Sequence, residues 1–262
     1  MQIFDSHCHL DDPVYDRDRE AVIERAHQAQ VRAMMLVGID AATSEKAITI
    51  AAAHAHTYAS VGLHPHDARH CDEATLARLR ELTLHPQVKA WGETGLDFNR
   101  MHSPQADQER WFHRQLALAA ETNLPMIFHE RDSGGRFLSI LKSHWGAGRK
   151  GVVHCFSGSD RELDRYLEMG LYIGITGIVT LKSRGEALRA QALRIPPDQL
   201  LVETDAPYLT PTPERNRFKR NEPAFVRAVL LKLAEIRAVP AETLAPVIWA
   251  NTCRLFGVPP RH

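Results

Sequence analysis

The sequence predicts a single-domain (β/α)8 barrel spanning residues 1–262, and three observations carry that expectation. Short apolar runs rich in Val, Ile and aromatic residues alternate with longer stretches of helical periodicity almost to the end of the chain. Strand and helix units in series imply a parallel sheet, because a right-handed crossover is the ordinary join between parallel neighbours. Eight such units in about 250 residues suit a closed barrel. An open doubly wound sheet fits less well, since the G-x-G-x-x-G phosphate loop after its first strand is missing.

The first strand is expected at 2–5, around Ile3 and Phe4, with a helix near 16–30. The second, at 33–37, runs apolar from Ala33 to Val37, as a strand covered on both faces does, and a helix comes next near 41–55. Strands at 57–62, 87–92 and 125–129 precede helices near 73–84, 105–122 and 132–144. Strands at 151–154, 171–175 and 200–204 complete the set, with helices near 159–169 and 183–193 between them and two more near 222–237 and 241–256. No composition shift, linker or repeat beyond the βα unit divides the chain.

Bulk composition narrows the function. Hydrophobic content of 44% and charge of 24% are ordinary for a globular protein. Lys+Arg and Asp+Glu balance at 32 each, so no global field draws the chain to nucleic acid or membrane, and a polyanion site has to be local. Cys8, Cys71, Cys155 and Cys253 form no C-x-x-C pair, which reads as reduced thiols in the cytosol. The N-terminus is strand-like, without a basic stretch before an apolar run, so neither signal peptide nor membrane span is expected. A monomer is expected. Histidine is the outlier, at 15 residues.

In a (β/α)8 barrel the active site sits at the C-terminal ends of the strands, so the residues where each apolar run stops are the test. Strand one leads into His7-Cys8-His9, whose two imidazoles, at i and i+2, share a face. Strand four ends in Glu93, strand five in His129, strand six in His154 and strand eight in Asp205. Four imidazoles and two carboxylates exceed the needs of one tetrahedral ion. Two divalent ions, roughly 3.5–4 Å apart, are the economical reading. Glu93 is placed to bridge them, with His7, His9 and Asp205 on one ion and His129 and His154 on the other. Two divalent ions against two carboxylates leave a positive site that suits hydroxide and an anionic substrate. Asp205 is placed to orient the water or accept its proton, so Asp205 and Glu93 are expected to act in catalysis.

Further rim residues surround these. His64 and His66 come after strand three, where contact with a substrate phosphate is expected; His64 joins the catalytic candidates, while turn structure shares the claim on His66. Asp97 reads as a carboxylate that fixes its loop or supports a ligand, and Glu203, two residues before Asp205, as one that orients a histidine from a layer below. Cys8 and Cys155 alternate away from the ligands and are expected to pack. The loop after strand eight carries Arg215, Arg217, Lys219 and Arg220, and can lean over the site to hold phosphates while Phe218 stacks on a base. Asn221 before Glu222-Pro223 reads as a helix N-cap.

With these residues in view the chain closely resembles the TatD family of metal-dependent deoxyribonucleases, within the amidohydrolase-like barrels. The likeness runs through His7-Cys8-His9, Gly62-Leu63-His64-Pro65-His66, Gly92-Glu93-Thr94-Gly95-Leu96-Asp97, His129, His154-Cys155-Phe156-Ser157-Gly158, Glu203-Thr204-Asp205-Ala206-Pro207-Tyr208 and Arg220-Asn221-Glu222-Pro223. It implies phosphodiester hydrolysis by metal-activated water, as a 3′-5′ exonuclease on single-stranded DNA or RNA using Mg²⁺ or Mn²⁺, with Zn²⁺ the remaining option. It implies the same six ligands, His7, His9, Glu93, His129, His154 and Asp205. Two rival readings are a hydrolase of a small cyclic amide, lactone or aminoacyl ester, which the ligands alone do not separate from a nuclease, and a binding protein without catalysis. The basic loop favours phosphodiesters.

Overall fold

The computed structural model describes residues 1–259. Eight parallel strands form one sheet in the order β1 to β8, each hydrogen-bonded to the next. They are β1 (Ile3–Cys8), β2 (Val31–Val37), β3 (Thr57–Val61), β4 (Val88–Asp97), β5 (Met126–Arg131), β6 (Gly151–Val153), β7 (Tyr172–Ile175) and β8 (Leu200–Val202). Between them run α1 (Arg19–Gln28), α2 (Ala41–Ala53), α3 (Glu73–Leu82), α4 (Gln105–Thr122), α5 (Arg136–His144), α6 (Asp160–Glu168) and α7 (Glu186–Ala192); α8 (Val226–Ile236) and α9 (Ala241–Phe256) come after β8. The barrel closes between first and last strands: the Asp205 amide donates to the His7 carbonyl at 2.9 Å, and the His9 amide to the Ala206 carbonyl at 2.7 Å. No helix among the described residues is long and apolar enough to cross a membrane.

Two layers of apolar packing result from the alternation of the strands. One cluster joins Phe4, Ala33, Met35, Val37, Ala90, Ile127, Val152 and Leu201 to Phe256 and Val258 at the end of α9. Met34 and Leu36 belong instead to the larger cluster shared with the helices. On β5 and β6 the functional side chains continue the first face, His129 lying two residues beyond Ile127 and His154 two beyond Val152. On β1 and β4 the spacing is odd, from Phe4 to His7 and from Ala90 to Glu93. Register irregularities fall in those intervals, between Asp5 and Cys8 and between Trp91 and Thr94. An extra residue in a strand re-aims the side chains beyond it, so Glu93 reaches the same side as the histidines.

Several boundaries differ from the sequence expectation for local reasons. β4 runs on through Glu93 to Asp97 because Gly92 and Gly95 adopt φ of 140° and 152°, which side-chain-bearing residues rarely take. β8 stops at Val202, short of 204, and Asp205 turns with a left-handed φ of 56°. The first helix starts at Arg19, not 16, after a 3-10 turn over Pro13–Tyr15. The 132–144 segment becomes helical only at Arg136, after Gly134 and Gly135 with φ of 62° and 85°. The segment at 222–237 begins as a 3-10 turn, Pro223–Phe225, ahead of α8.

Gly95 shows how tight the strand-end packing is: a Cβ there would lie 1.8 Å from the His129 carbonyl oxygen. Gly95→Ala is expected to cost about 2–4 kcal/mol in chemical denaturation, from overpacking and backbone strain together. Gly134→Ala also has a positive φ, but nothing lies within 4 Å of the added methyl, so it should cost only about 1 kcal/mol. Equal costs for the two would contradict the close approach of β4 and β5.

Candidate metal centre

At the C-terminal mouth of the barrel the side chains from β1, β4, β5, β6 and β8 meet around one carboxylate. Glu93 Oε1 lies 2.7 Å from His129 Nδ1 and 2.8 Å from His154 Nε2. Its other oxygen, Oε2, faces His7 Nε2 at 3.4 Å and His9 Nε2 at 3.9 Å. Asp205 Oδ1 completes the second side, 3.4 Å from His9 Nε2 and 3.6 Å from His7 Nε2. The His7 and His154 rings stack with centroids 3.9 Å apart. Four donor groups therefore converge closely enough to hold a cation: His7, His9 and Glu93; Glu93, His129 and His154; His7, His154 and Asp205; and, beside these, His64, His66 and His129. All six strand-end residues expected from the sequence come together.

The imidazoles are aimed by what their outer nitrogens touch. His9 Nδ1 lies 2.9 Å from the Val37 carbonyl, so it carries the proton there and leaves Nε2 turned to the cluster. His129 Nε2 faces Asp97 Oδ2 at 3.4 Å, which leaves Nδ1 for Glu93. His154 Nδ1 faces Glu203 Oε1 at 3.5 Å. Neither His7 Nδ1 nor His154 Nδ1 has a hydrogen-bond partner, so Glu203 acts on His154 through its charge. Glu203 also receives the Cys155 amide and the Ser6 hydroxyl, so it supports the wall beneath the ligands as expected. Asp97 fixes its own loop, accepting the Asn99 and Arg100 amides on Oδ1 at 3.0 and 2.8 Å.

The electrostatics ask for positive charge. Burial pushes Glu93 up, but His154, His64 and His129 together hold it well below the usual carboxylate range. Burial also opposes ionisation of Asp205, yet the bond from His9 and the charge of His154 bring it below its ordinary value. Burial lowers His9, and Asp205 and Glu93 overcome it, raising the ring to about 9. His129 and His154 are raised against burial by Asp97, Glu93 and Glu203. A cluster of ionised carboxylates that draws protons onto its imidazoles is one that divalent cations fit, by displacing those protons. The donor set, neutral nitrogens around carboxylate oxygens, suits Zn²⁺ and Mn²⁺ and gives Mg²⁺ its oxygen ligands.

His64 and His66 stand beside this cluster. His64 Nδ1 accepts the His66 amide at 3.1 Å, so its proton sits on Nε2, which points at Glu93 Oε1 from 3.4 Å. Burial lowers His64 to about 3 and keeps it neutral. His66 Nε2 meets Asp97 Oδ2 at 2.8 Å, with the side chain 31% exposed to the cavity. Two buried amides of α4, seven residues apart, hold these loops: Gln115 accepts from the Leu63 amide and Trp91 Nε1, and Gln108 bridges Asp97 and Ser103. Asp5 clamps β1 to the far edge through the Thr204 amide and hydroxyl. None of the three carries a sequence signal beyond a polar residue inside an otherwise apolar face.

Cys8 is buried and Cys155 packs against the core, the latter past the end of β6 with a left-handed φ of 46° that also brings it to the cavity lining. Two expectations need correction. Asn221 is not a helix cap. Its buried amide donates to the Thr204 and Tyr208 carbonyls and so pins the loop leaving β8. That loop does not lean over the metal centre either. Arg215, Arg217, Lys219 and Phe218 are exposed and absent from the cavity lining, and Arg220 is committed to Asp18 at 2.6 Å and to the Tyr15 ring. The cations that do line the cavity, Arg100, Arg131 and Arg184, come from the loop after β4, the end of β5 and the loop after β7, and make no run in the sequence.

Comparison with known proteins gives one consistent result. A family model described as "TatD related DNase" matches residues 4–257. A protein of Rahnella sp. named "3'-5' ssDNA/RNA exonuclease TatD" is 42% identical over 99% of this chain and 100% of its own length. One from Bacillus subtilis named "Uncharacterized metal-dependent hydrolase YabD" is 39% identical over 98% of this chain and 99% of its own. The crystal structure of the TatD homologue YJJV of Escherichia coli superposes with a TM-score of 0.88 at 32% identity, covering 98% of each chain.

Because Glu93 belongs to two of the four donor groups and His9 to one, their loss should differ. Glu93→Ala is expected to weaken divalent-metal retention beyond the ~10–100-fold typical of losing a supporting partner. His9→Ala should retain more. Elemental analysis of protein loaded with Mn²⁺ and desalted reads this; retention by Glu93→Ala equal to wild type would refute the central place of that carboxylate.

Proposed function

The chain belongs to the family of TatD-related DNases, and from that premise we propose that it is a divalent-metal-dependent hydrolase of nucleic-acid phosphodiesters, a 3′-5′ exonuclease on single-stranded DNA or RNA. The observation that carries the reading is Glu93, whose two oxygens divide between the imidazoles of β1 and those of β5 and β6 at the floor of an open cavity of about 1020 Å³. That division supports a pair of ions, with His7, His9 and Asp205 on one side, His129 and His154 on the other and Glu93 between them. Mg²⁺ or Mn²⁺ is the expected occupant. The rival small amide, lactone or ester substrate is not favoured, since the relatives at about 40% identity carry exonuclease names.

When bound, divalent ions bring the pKa of water towards neutrality and offset charge on phosphoryl oxygens. The protein's own groups do the rest. Asp205, held ionised and 14% exposed at the cavity, takes the proton of the attacking water. His64 offers its Nε2 proton to a phosphoryl oxygen, and its neutrality means it does so without adding a buried charge. Asp97 and Glu203 keep His129 and His154 aimed inward. The whole chain acts as one domain. Its four free cysteines support a cytosolic setting.

A 5′-labelled single-stranded oligonucleotide incubated with Mg²⁺ or Mn²⁺ should give a descending ladder, and a chelator should abolish it. Immediate short fragments would indicate internal cleavage instead, and an uncut substrate with both metals would refute the nuclease. Asp205→Asn should lower kcat by about 10²–10⁴-fold, the span of a lost general base.

A further inference from the structure

Resting on the nuclease reading, the cavity walls carry a further assignment: which face receives the bases of the strand and which its phosphates. The walls are not alike. Asp11, Asp12 and Asp67, from the loops after β1 and β3, make one side acidic. Arg100 and Arg131, at the ends of β4 and β5, and Arg184, in the loop after β7, line the other side. None of these three guanidinium groups has a hydrogen bond or ion pair among the described residues, unlike Arg220, which Asp18 holds. Asp97, Glu130 and Asp132 line the cavity there as well, Asp132 accepting from Asn99 Nδ2 at 2.7 Å and Glu130 from the Ser133 hydroxyl at 2.7 Å, so neither is paired with a guanidinium group. A phosphate chain meets no guanidinium group along the β1 and β3 side and three along the β4 to β7 side.

The base-binding face is set by Tyr208. It is 56% exposed, yet its backbone is fixed on both sides: its amide donates to the Asp205 carbonyl at 2.8 Å and its carbonyl accepts from Asn221 Nδ2 at 2.6 Å. Its ring meets His9 edge-on, with centroids 6.2 Å apart. An exposed aromatic ring on a pinned backbone, three residues past the candidate base and beside a ligand, is a stacking platform for the nucleotide undergoing hydrolysis. Leu209, partly buried, follows Tyr208 in that lining. We infer that Tyr208 stacks on the terminal base of a single strand and that Arg100, Arg131 and Arg184 hold the phosphates.

The probe is a fluorescein-labelled single-stranded oligo(dT) with 3′-terminal phosphorothioate linkages, titrated at several salt concentrations beside trimming of the unmodified oligomer. The Arg100→Ala, Arg131→Ala, Arg184→Ala triple variant should lower the slope of log affinity against log salt by about 2, since each single-strand contact contributes ~0.7. Tyr208→Ala should weaken binding about tenfold with the slope unchanged, and Tyr208→Phe should restore it. Arg215→Ala, Arg217→Ala and Lys219→Ala together should leave the slope as in wild type. An unaltered slope in the first triple variant, or wild-type affinity in Tyr208→Ala, overturns the inference while wild-type trimming leaves the nuclease reading intact. A wild-type protein that neither binds nor trims the oligomer overturns both.

Discussion

The barrel is closed by two backbone hydrogen bonds, from the Asp205 amide to His7 and from the His9 amide to Ala206, and the metal centre depends on them. They join residues almost two hundred positions apart, and they do so at the residues whose side chains supply the donors. In an open sheet the first and last strands would form opposite edges, and Asp205 could not lie 3.4 Å from His9 Nε2. Closure and the donor set are thus one constraint: the bonds that remove the sheet's free edges also set the spacing of the ligands. Asp5, reaching from β1 to Thr204, and Asn221, holding the Thr204 and Tyr208 carbonyls, reinforce the same seam.

Glu93 is the electrostatic counterpart of that seam. A buried carboxylate is costly unless its charge is met, and here imidazoles from three other strands and the β3 loop meet it. Three of the cluster's imidazoles, His9, His129 and His154, face Val37, Asp97 and Glu203 from behind. The arrangement fixes the nitrogens before any ligand arrives, so little reorganisation is needed when charge enters.

Much of this was legible in the chain. Apolar alternation located all eight strands, and the polar residues at the ends of five of them are the six candidate donors that the fold brings together. What alternation cannot supply is parity across a bulge: Phe4 and His7, or Ala90 and Glu93, sit at odd spacing and share a face only because the register shifts between them. Strand eight read too long because a turn at Asp205 has no propensity signature. The loop cations misled in the opposite sense. Arg215 to Arg220 form a visible cluster outside the cavity, whereas Arg100, Arg131 and Arg184 are scattered in sequence and gathered only by the fold. Gln108 and Gln115 were silent for a related reason: a buried amide bonded to loop backbone looks like any polar residue on a helix.

The apolar layer directly beneath the imidazoles, with Ile127 under His129 and Val152 under His154, has one more consequence. It makes the barrel a cul-de-sac, sealed below by packed side chains and reachable only from the mouth. Whatever reaches the floor passes the rim loops, so the side chains on those loops, and not the barrel wall, set what is admitted.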